Sequence, residues 1–374
     1  MRTRQGSVDS ARRIVIKIGS AVVAGGTNGV NSRRVAAISA HVAWLVGRGA
    51  NVAVVTSGAV AAGMKRLGLT ERPRTVEMKQ AAAAVGQSAL MRIYEKSFAR
   101  HGLVVGQMLL TSADLTDRRR YLNARNTLNR LFEAGAVPII NENDTVSVEE
   151  LKFSDNDSLA ALVTNLAEAD TLVILSDVDG LFDKDPGNPD ARLITDVARV
   201  TPEIERMAAG SCSALGTGGM ATKLQAAKKA GAKGASCFII NGKKPVNLRA
   251  LFDGQPVGTY FAPASEGLTS KKHWIAFTMR PKGLVVVDAG AARALTEDGK
   301  SLLASGIKAT EGKFGAGDAV EVAGPDGRVI ARGLIHYSKD EVEKIKGLNS
   351  ADIEAALGYR YCDEVIHRDD LVVL

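Results

Sequence analysis

Eight residues near the middle of the chain, Gly216-Thr-Gly-Gly-Met-Ala-Thr-Lys223, have the types needed to handle phosphate. Three glycines in four residues let backbone N–H groups approach an anion closely, and Thr217 and Thr222 add hydroxyls. Lys223 opens a helical run containing Leu224, Ala227 and Ala230, so charge and helix dipole both favour an anion there. The stretch is not a P-loop, which needs glycine directly before its lysine; Thr222 stands there instead. Alone, such a loop fits a flexible linker equally well. Lys17 changes that balance. Arg13-Ile-Val-Ile-Lys17-Ile-Gly-Ser20 is a short apolar strand ending on a lysine and a glycine. By itself Lys17 reads as a solvated strand-end lysine. Paired with Lys223, it gives two cations flanking a triphosphate, which is most of what phosphoryl transfer from ATP requires.

A second constellation is acidic. Asn141-Glu-Asn-Asp144 directly follows a strand, and Ser154-Asp-Asn-Asp157-Ser stands at a helix start, where such residues are also ordinary caps. Together the two clusters can surround a polar zwitterion, carboxylates taking an ammonium while amides and backbone N–H groups take a carboxylate. Thr56-Ser57-Gly58-Ala59 adds a hydroxyl at another strand end, or is a simple turn.

These residues need a scaffold, and the pattern supplies one. Strand-like runs at 14–17, 51–56, 103–110, 137–141, 171–176 and 237–241 alternate with helix-like stretches at 32–48, 77–100, 118–134, 156–167 and 223–232. Alternation predicts an α/β domain with a largely parallel central sheet, whose ligands sit at the carboxyl ends of the strands. The pattern breaks over 259–281, where Pro263, Gly267 and Pro281 mark a linker. Beyond it, short runs at 284–287, 319–322 and 329–334, with turns such as Gly324-Pro-Asp-Gly327, predict a small β-rich barrel.

Composition narrows the class. A chain of 374 residues with 45% hydrophobic and 24% charged residues is a soluble globular protein of two domains. Its longest apolar runs fall well short of the roughly 18 residues of a membrane span. The polar, basic first ten residues lack the apolar core of a secretion signal. Cys212, Cys237 and Cys362 have no metal-ligand spacing and read as reduced thiols in the cytoplasm. Residues 280–374 carry a net −3, leaving +10 on residues 1–279. The positive part suits small anions, and the negative part argues against an electrostatic grip on RNA.

The order of motifs, Lys17-Ile-Gly, Val55-Thr-Ser-Gly-Ala59, Gly106-Gln-Met-Leu109, Ile140-Asn-Glu-Asn-Asp144, Asp155-Asn-Asp157, Ser176-Asp177 and Gly216–Lys223, resembles the glutamate 5-kinases of the amino-acid kinase superfamily. The resemblance runs over nearly the whole chain, since 282–357 looks like the PUA domain found in many bacterial members. Ser154 and Ala21 depart from the family's usual glycine and serine; neither removes a charge. The resemblance implies a three-layer amino-acid kinase sandwich over 1–262, a linker over 263–281, a PUA barrel over 282–357 and a C-terminal tail over 358–374.

It also implies a reaction: ATP phosphorylates the side-chain carboxylate of L-glutamate, the first step towards proline. That nucleophile is ionised at neutral pH, titrating near roughly 4.3, so no general base is needed. Five scattered histidines fit this. On the resemblance, Lys17 and Lys223 neutralise the transferring group, Mg²⁺ bridges the phosphates, and Asp157 orients the lysines. Ser176, Asp177, Thr217, Gly218, Gly219, Met220, Ala221 and Thr222 hold the nucleotide with the two lysines. Ser57, Asp144 and Asn156 hold glutamate, Asp144 nearest its ammonium. Feedback inhibition by proline, with a pocket for its ring over 145–153, homo-oligomerisation and contact with glutamyl phosphate reductase belong to the same expectation. Kinases for aspartate, acetylglutamate, carbamate or UMP are the alternatives within the class. Acetylglutamate has no free ammonium to occupy the carboxylates. A PUA-mediated RNA-binding protein is the alternative outside it.

Overall fold

Ile14, Ile16 and Ile18 alternate with Val15 and Lys17 along β1 (Arg13–Ile18), and this two-residue period decides which face of the sheet carries the chemistry. The computed structural model describes residues 2–25, 29–147, 156–209, 219–264, 272, 275–276 and 279–374. It divides into two compact units, Met1–Gly267 and Leu268–Leu374.

Around β1, the first unit places α1 (Arg4–Asp9), α2 (Ser20–Val23), α3 (Ser32–Gly47), β2 (Asn51–Thr56), α4 (Ala59–Arg66), α5 (Val76–Ala99) and β3 (Val105–Leu110). There follow α6 (Ser112–Thr116), α7 (Arg118–Glu133), β4 (Val137–Glu142), α8 (Asn156–Leu166), β5 (Thr171–Ser176), β6 (Leu181–Phe182), β7 (Leu193–Ile194) and β8 (Asp196–Val197). The unit closes with α9 (Pro202–Ala209), α10 (Met220–Ala232), β9 (Ser236–Asn241), α11 (Val246–Phe252) and β10 (Thr259–Phe261). The main sheet has the order β3-β4-β2-β1-β5-β9-β10-β8, parallel from β3 through β9, with β10 antiparallel to β9.

Both faces of the sheet are covered. The β1 isoleucines join Val35, Ile38 and Val42 of α3, Leu90, Tyr94 and Phe98 of α5, and Leu248 and Leu251 of α11 in one core. Burying each such isoleucine contributes about 1.5–3 kcal/mol. On the opposite face α8 packs on β1, β2 and β5, and α10 packs on α8 and β9. This is the three-layer α/β sandwich expected from the sequence. Lys17 falls on the α8 face because it is odd in register with the core isoleucines.

Residues 259–261, at the start of the break read from sequence, form the buried strand β10, paired to Phe238 and Ile239 of β9. Three residues are too few to display a strand period, so the proline-containing stretch after them masked it.

The second unit contains β11 (Gly283–Val287), α12 (Ala289–Thr296), β12 (Leu302–Leu303), β13 (Ile307–Gly312), β14 (Ala319–Ala323) and β15 (Val329–Leu334). It continues through α13 (Lys339–Ile345), α14 (Ile353–Leu357), β16 (Glu364–Ile366) and β17 (Leu371–Val373). Its five-stranded sheet runs β13-β11-β14-β15-β17 around a core of Val285, Val320, Val322, Ile335 and Tyr337. Residues 358–374 are therefore not a tail: β16 pairs with β12 and β17 with β15, and Val365, Ile366 and Leu371 lie in that core. Among the described residues no helix is long and apolar enough to cross a membrane.

Candidate active site

The parallel register brings strand ends together before any side chain is considered. Ile18 lies beside Thr56 of β2 and Leu175 of β5, and Val55 lies beside Ile140 of β4. Lys17, Ser57, Asn141 and Ser176 thus stand at neighbouring carboxyl ends. Gly58 turns the chain from β2 into α4 with a φ of 110°, a conformation costly for any residue with a Cβ. Here a Cβ would also meet Val23 Cγ1 at 2.7 Å.

Asp157, in the first turn of α8, is fully buried and collects both lysines. Lys17 Nζ lies 2.5 Å from Asp157 Oδ1 and Lys223 Nζ lies 3.2 Å from Asp157 Oδ2. Thr222 Oγ1 donates to the same Oδ2 at 2.9 Å, and Lys223 Nζ also reaches Gly219 O at 3.3 Å. Burial alone would raise the Asp157 carboxyl, but Lys17 and Lys223 overcome it and hold it below the usual carboxylate value. Two buried cations sharing one carboxylate make a place for further negative charge. The N-terminus of α10 adds to it, because Gly219 caps that helix without a side-chain hydrogen bond.

One residue earlier in the chain, Asn156 builds the neighbouring polar cluster. Its Nδ2 donates to Thr56 O and Ser57 Oγ, both at 2.8 Å, and to Asn141 Oδ1 at 3.2 Å. Asn141 Nδ2 continues to Gln87 Oε1 of α5 at 3.0 Å. Adjacent residues of α8 therefore serve two different environments, one cationic and one rich in amides and hydroxyls.

The structure brings Lys17, Asp157, Lys223 and Thr222 into one contact group, and Ser57 with Asn156 into the next. Asp144 lies half-buried in the turn that follows β4, closed by Ser147 N–H donating to Asn143 O at 3.1 Å. Ser176 and Asp177 sit at the end of β5 beside that of β1, and Asp177 pairs with Lys243 at 3.7 Å. Gly219 caps α10, and Met220 and Ala221 begin it. Thr217 and Gly218, like Ser154 and Asp155, lie outside the described residues, as does most of 145–153.

Asn141, Gln87 and Lys243 were not assigned roles from sequence. Asn141 belongs to a cluster already marked. Lys243 had a usable signal, since Gly242-Lys-Lys244 directly follows the apolar strand β9. Gln87, inside a long alanine-rich helix, had none.

A largely parallel sheet with a lysine–carboxylate–lysine group at its strand ends suits an anionic, phosphate-bearing ligand. The family model for the amino acid kinase family matches residues 12–241, and that for the PUA domain matches 283–357. The glutamate 5-kinase of Geobacter sulfurreducens is 55% identical over 372 residues, covering 99% of this chain and 100% of that protein. The glutamate 5-kinase of Myxococcus xanthus is 49% identical over 373 residues, covering 100% of this chain and 99% of that protein. Among solved structures, carbamate kinase from Giardia lamblia bound to AMP-PNP aligns at 15% identity with a TM-score of 0.51, over 68% of this chain and 99% of that one, a likeness of fold. The chain belongs to the amino acid kinase family and, within it, to the glutamate 5-kinases.

Proposed function

We propose that the chain transfers the γ-phosphoryl group of ATP to the side-chain carboxylate of L-glutamate, giving L-glutamyl 5-phosphate and ADP for proline biosynthesis. The observation that carries this reading is the adjacency of Asn156 and Asp157, which sets a cluster of amides and hydroxyls against a two-lysine anion site. In the reaction a carboxylate oxygen attacks the γ-phosphorus and the bond to the ADP oxygen breaks. The nucleophile is already ionised, so the task is to overcome repulsion between anions. Lys17 and Lys223 carry positive charge to the transferring oxygens, and Asp157 holds both ammonium groups in place.

Ser176, Asp177 and residues 217–222 take the nucleotide; Ser57, Asp144 and Asn156 take glutamate, with Asp144 at its ammonium. Mg²⁺ would arrive on the nucleotide's phosphates, the usual mode for this ion, and would offset phosphate charge there. Proline shares the α-carboxylate and cationic amine of glutamate and lacks the reacting group, so it inhibits at the same pocket. Residues 1–262 form the catalytic domain of this reading and 282–357 the PUA domain. A homo-oligomer, contact with glutamyl phosphate reductase and a cytoplasmic location complete it. The test is ADP release across a panel of acids, with hydroxylamine as trap. L-Glutamate alone should give both ADP and hydroxamate; turnover of aspartate, acetylglutamate or carbamate in its place would reject the assignment.

A further inference from the structure

Gln87 ends a line of amides that begins at Asn156. It follows Gly86 on α5, where a Cβ would lie 1.8 Å from Ala59 O, so α5 presses directly on α4 and has little room to shift. The orientation of each amide in the line is determined by its neighbours. Asn141 Oδ1 accepts from the Glu142 N–H at 2.9 Å and from Asn156 Nδ2 at 3.2 Å, which turns Asn141 Nδ2 towards Gln87. Gln87 must answer with Oε1, and does so at 3.0 Å. Its Nε2 is then left sealed from water with no hydrogen-bond partner among the described residues.

A buried donor without an acceptor costs stability, and an unbranched apolar side chain of similar length would avoid that cost. The amide is useful at this position only through its oxygen. We propose that Gln87 is a positioning residue for the amino-acid substrate, acting through Asn141 on Asn156. With no acceptor at position 87, Asn141 Nδ2 loses its partner and the amide is held through Oδ1 alone, by the Glu142 N–H and Asn156 Nδ2. Its grip on Asn156 slackens, and with it the placing of Asn156 against Thr56 O and Ser57 Oγ. The inference rests on the reading that Ser57 and Asn156 hold L-glutamate.

Gln87→Met removes both the useful oxygen and the unsatisfied nitrogen at nearly constant volume. The expected result is a rise of roughly tenfold in the KM for glutamate, the worth of about one good hydrogen bond, with the ATP KM unchanged. The Tm should change little, because loss of the unpartnered Nε2 offsets the Asn141 Nδ2 left without its acceptor, whereas a merely structural glutamine would lower the Tm and leave the glutamate KM alone. In an Asn141→Ala background the same substitution should add nothing, because the two act in series. Gln87→Leu repeats the test with a different shape should the methionine variant fold poorly. A lowered Tm with an unchanged glutamate KM, or effects that multiply in the double variant, would overturn the proposal. Asn156→Ala separates the two layers of the argument: if it leaves the glutamate KM alone, the pocket reading fails, whatever Gln87→Met does.

Discussion

Lys17 and Asp157 meet at 2.5 Å although they come from β1 and α8, 140 residues apart in sequence, and Asp157 is wholly buried. The contact exists because the β1 alternation sends Lys17 to the α8 face while α8 begins at the level of the strand ends. Removing one partner of such a pair leaves buried charge behind. Asp157→Asn should therefore destabilise the ligand-free protein by about 3–5 kcal/mol. Saturating ATP should recover part of that loss, since phosphates then face the lysines. Thermal melts of both proteins with and without ATP test this.

The same carboxylate predicts a pH effect. Its folded pKa is depressed, so its stabilisation is present above the ordinary value of 3.8 and is lost as pH falls through the lower folded value. The stability gap between the native protein and Asp157→Asn should be flat from pH 8 to about 5 and shrink below about 4. Urea titrations across that range would show it; a gap that widens on acidification would reverse the assigned sign.

Lys17→Ala and Lys223→Ala should each lower kcat by about a hundredfold, near 3 kcal/mol of transition-state stabilisation, with much smaller changes in the glutamate KM. A variant retaining near-normal kcat would exclude that lysine from the transferring group.

Asp144→Asn should raise the glutamate KM strongly and leave the ATP KM nearly unchanged, because it loses a charge contact to the ammonium. Proline titrated at several glutamate concentrations should inhibit competitively, and this variant should blunt that inhibition as well. Steady-state kinetics on both substrates decide whether Asp144 belongs to the amino acid or to the nucleotide.

Much of this site was legible in the sequence, and the limits have physical causes. Strands 51–56 and 171–176 have the predicted bounds because continuous apolar runs of buried parallel strands are conspicuous. Lys17 stood out as a charge at the end of an apolar run, and Lys223 as one that follows a glycine-rich loop and opens a helix. The sharing of Asp157 between them was expected only from the resemblance, since its cluster alone reads equally as a helix cap. The Thr222 hydroxyl's bond to Asp157 was not legible either, since it is fixed by how α10 packs on α8. Gln87 was invisible because its hydrogen bond depends on the 3.0 Å approach of Asn141 from β4 to helix α5. The C-terminal strands were missed for a simpler reason: three-residue strands such as Glu364–Ile366 are too short to show a period.

The central claim is that a carboxylate oxygen of glutamate becomes bonded to the γ-phosphorus of ATP. Glutamate labelled with ¹⁸O in its side-chain carboxylate, turned over with ATP and hydroxylamine, tests it directly. Hydroxylamine attacks the acyl carbon and expels phosphate, which takes the bridging oxygen with it. The account predicts that ³¹P NMR finds one ¹⁸O in each phosphate released, matched one to one by ADP and hydroxamate. Phosphate without label alongside ADP would mean that water, not glutamate, attacks the nucleotide, and would contradict the account.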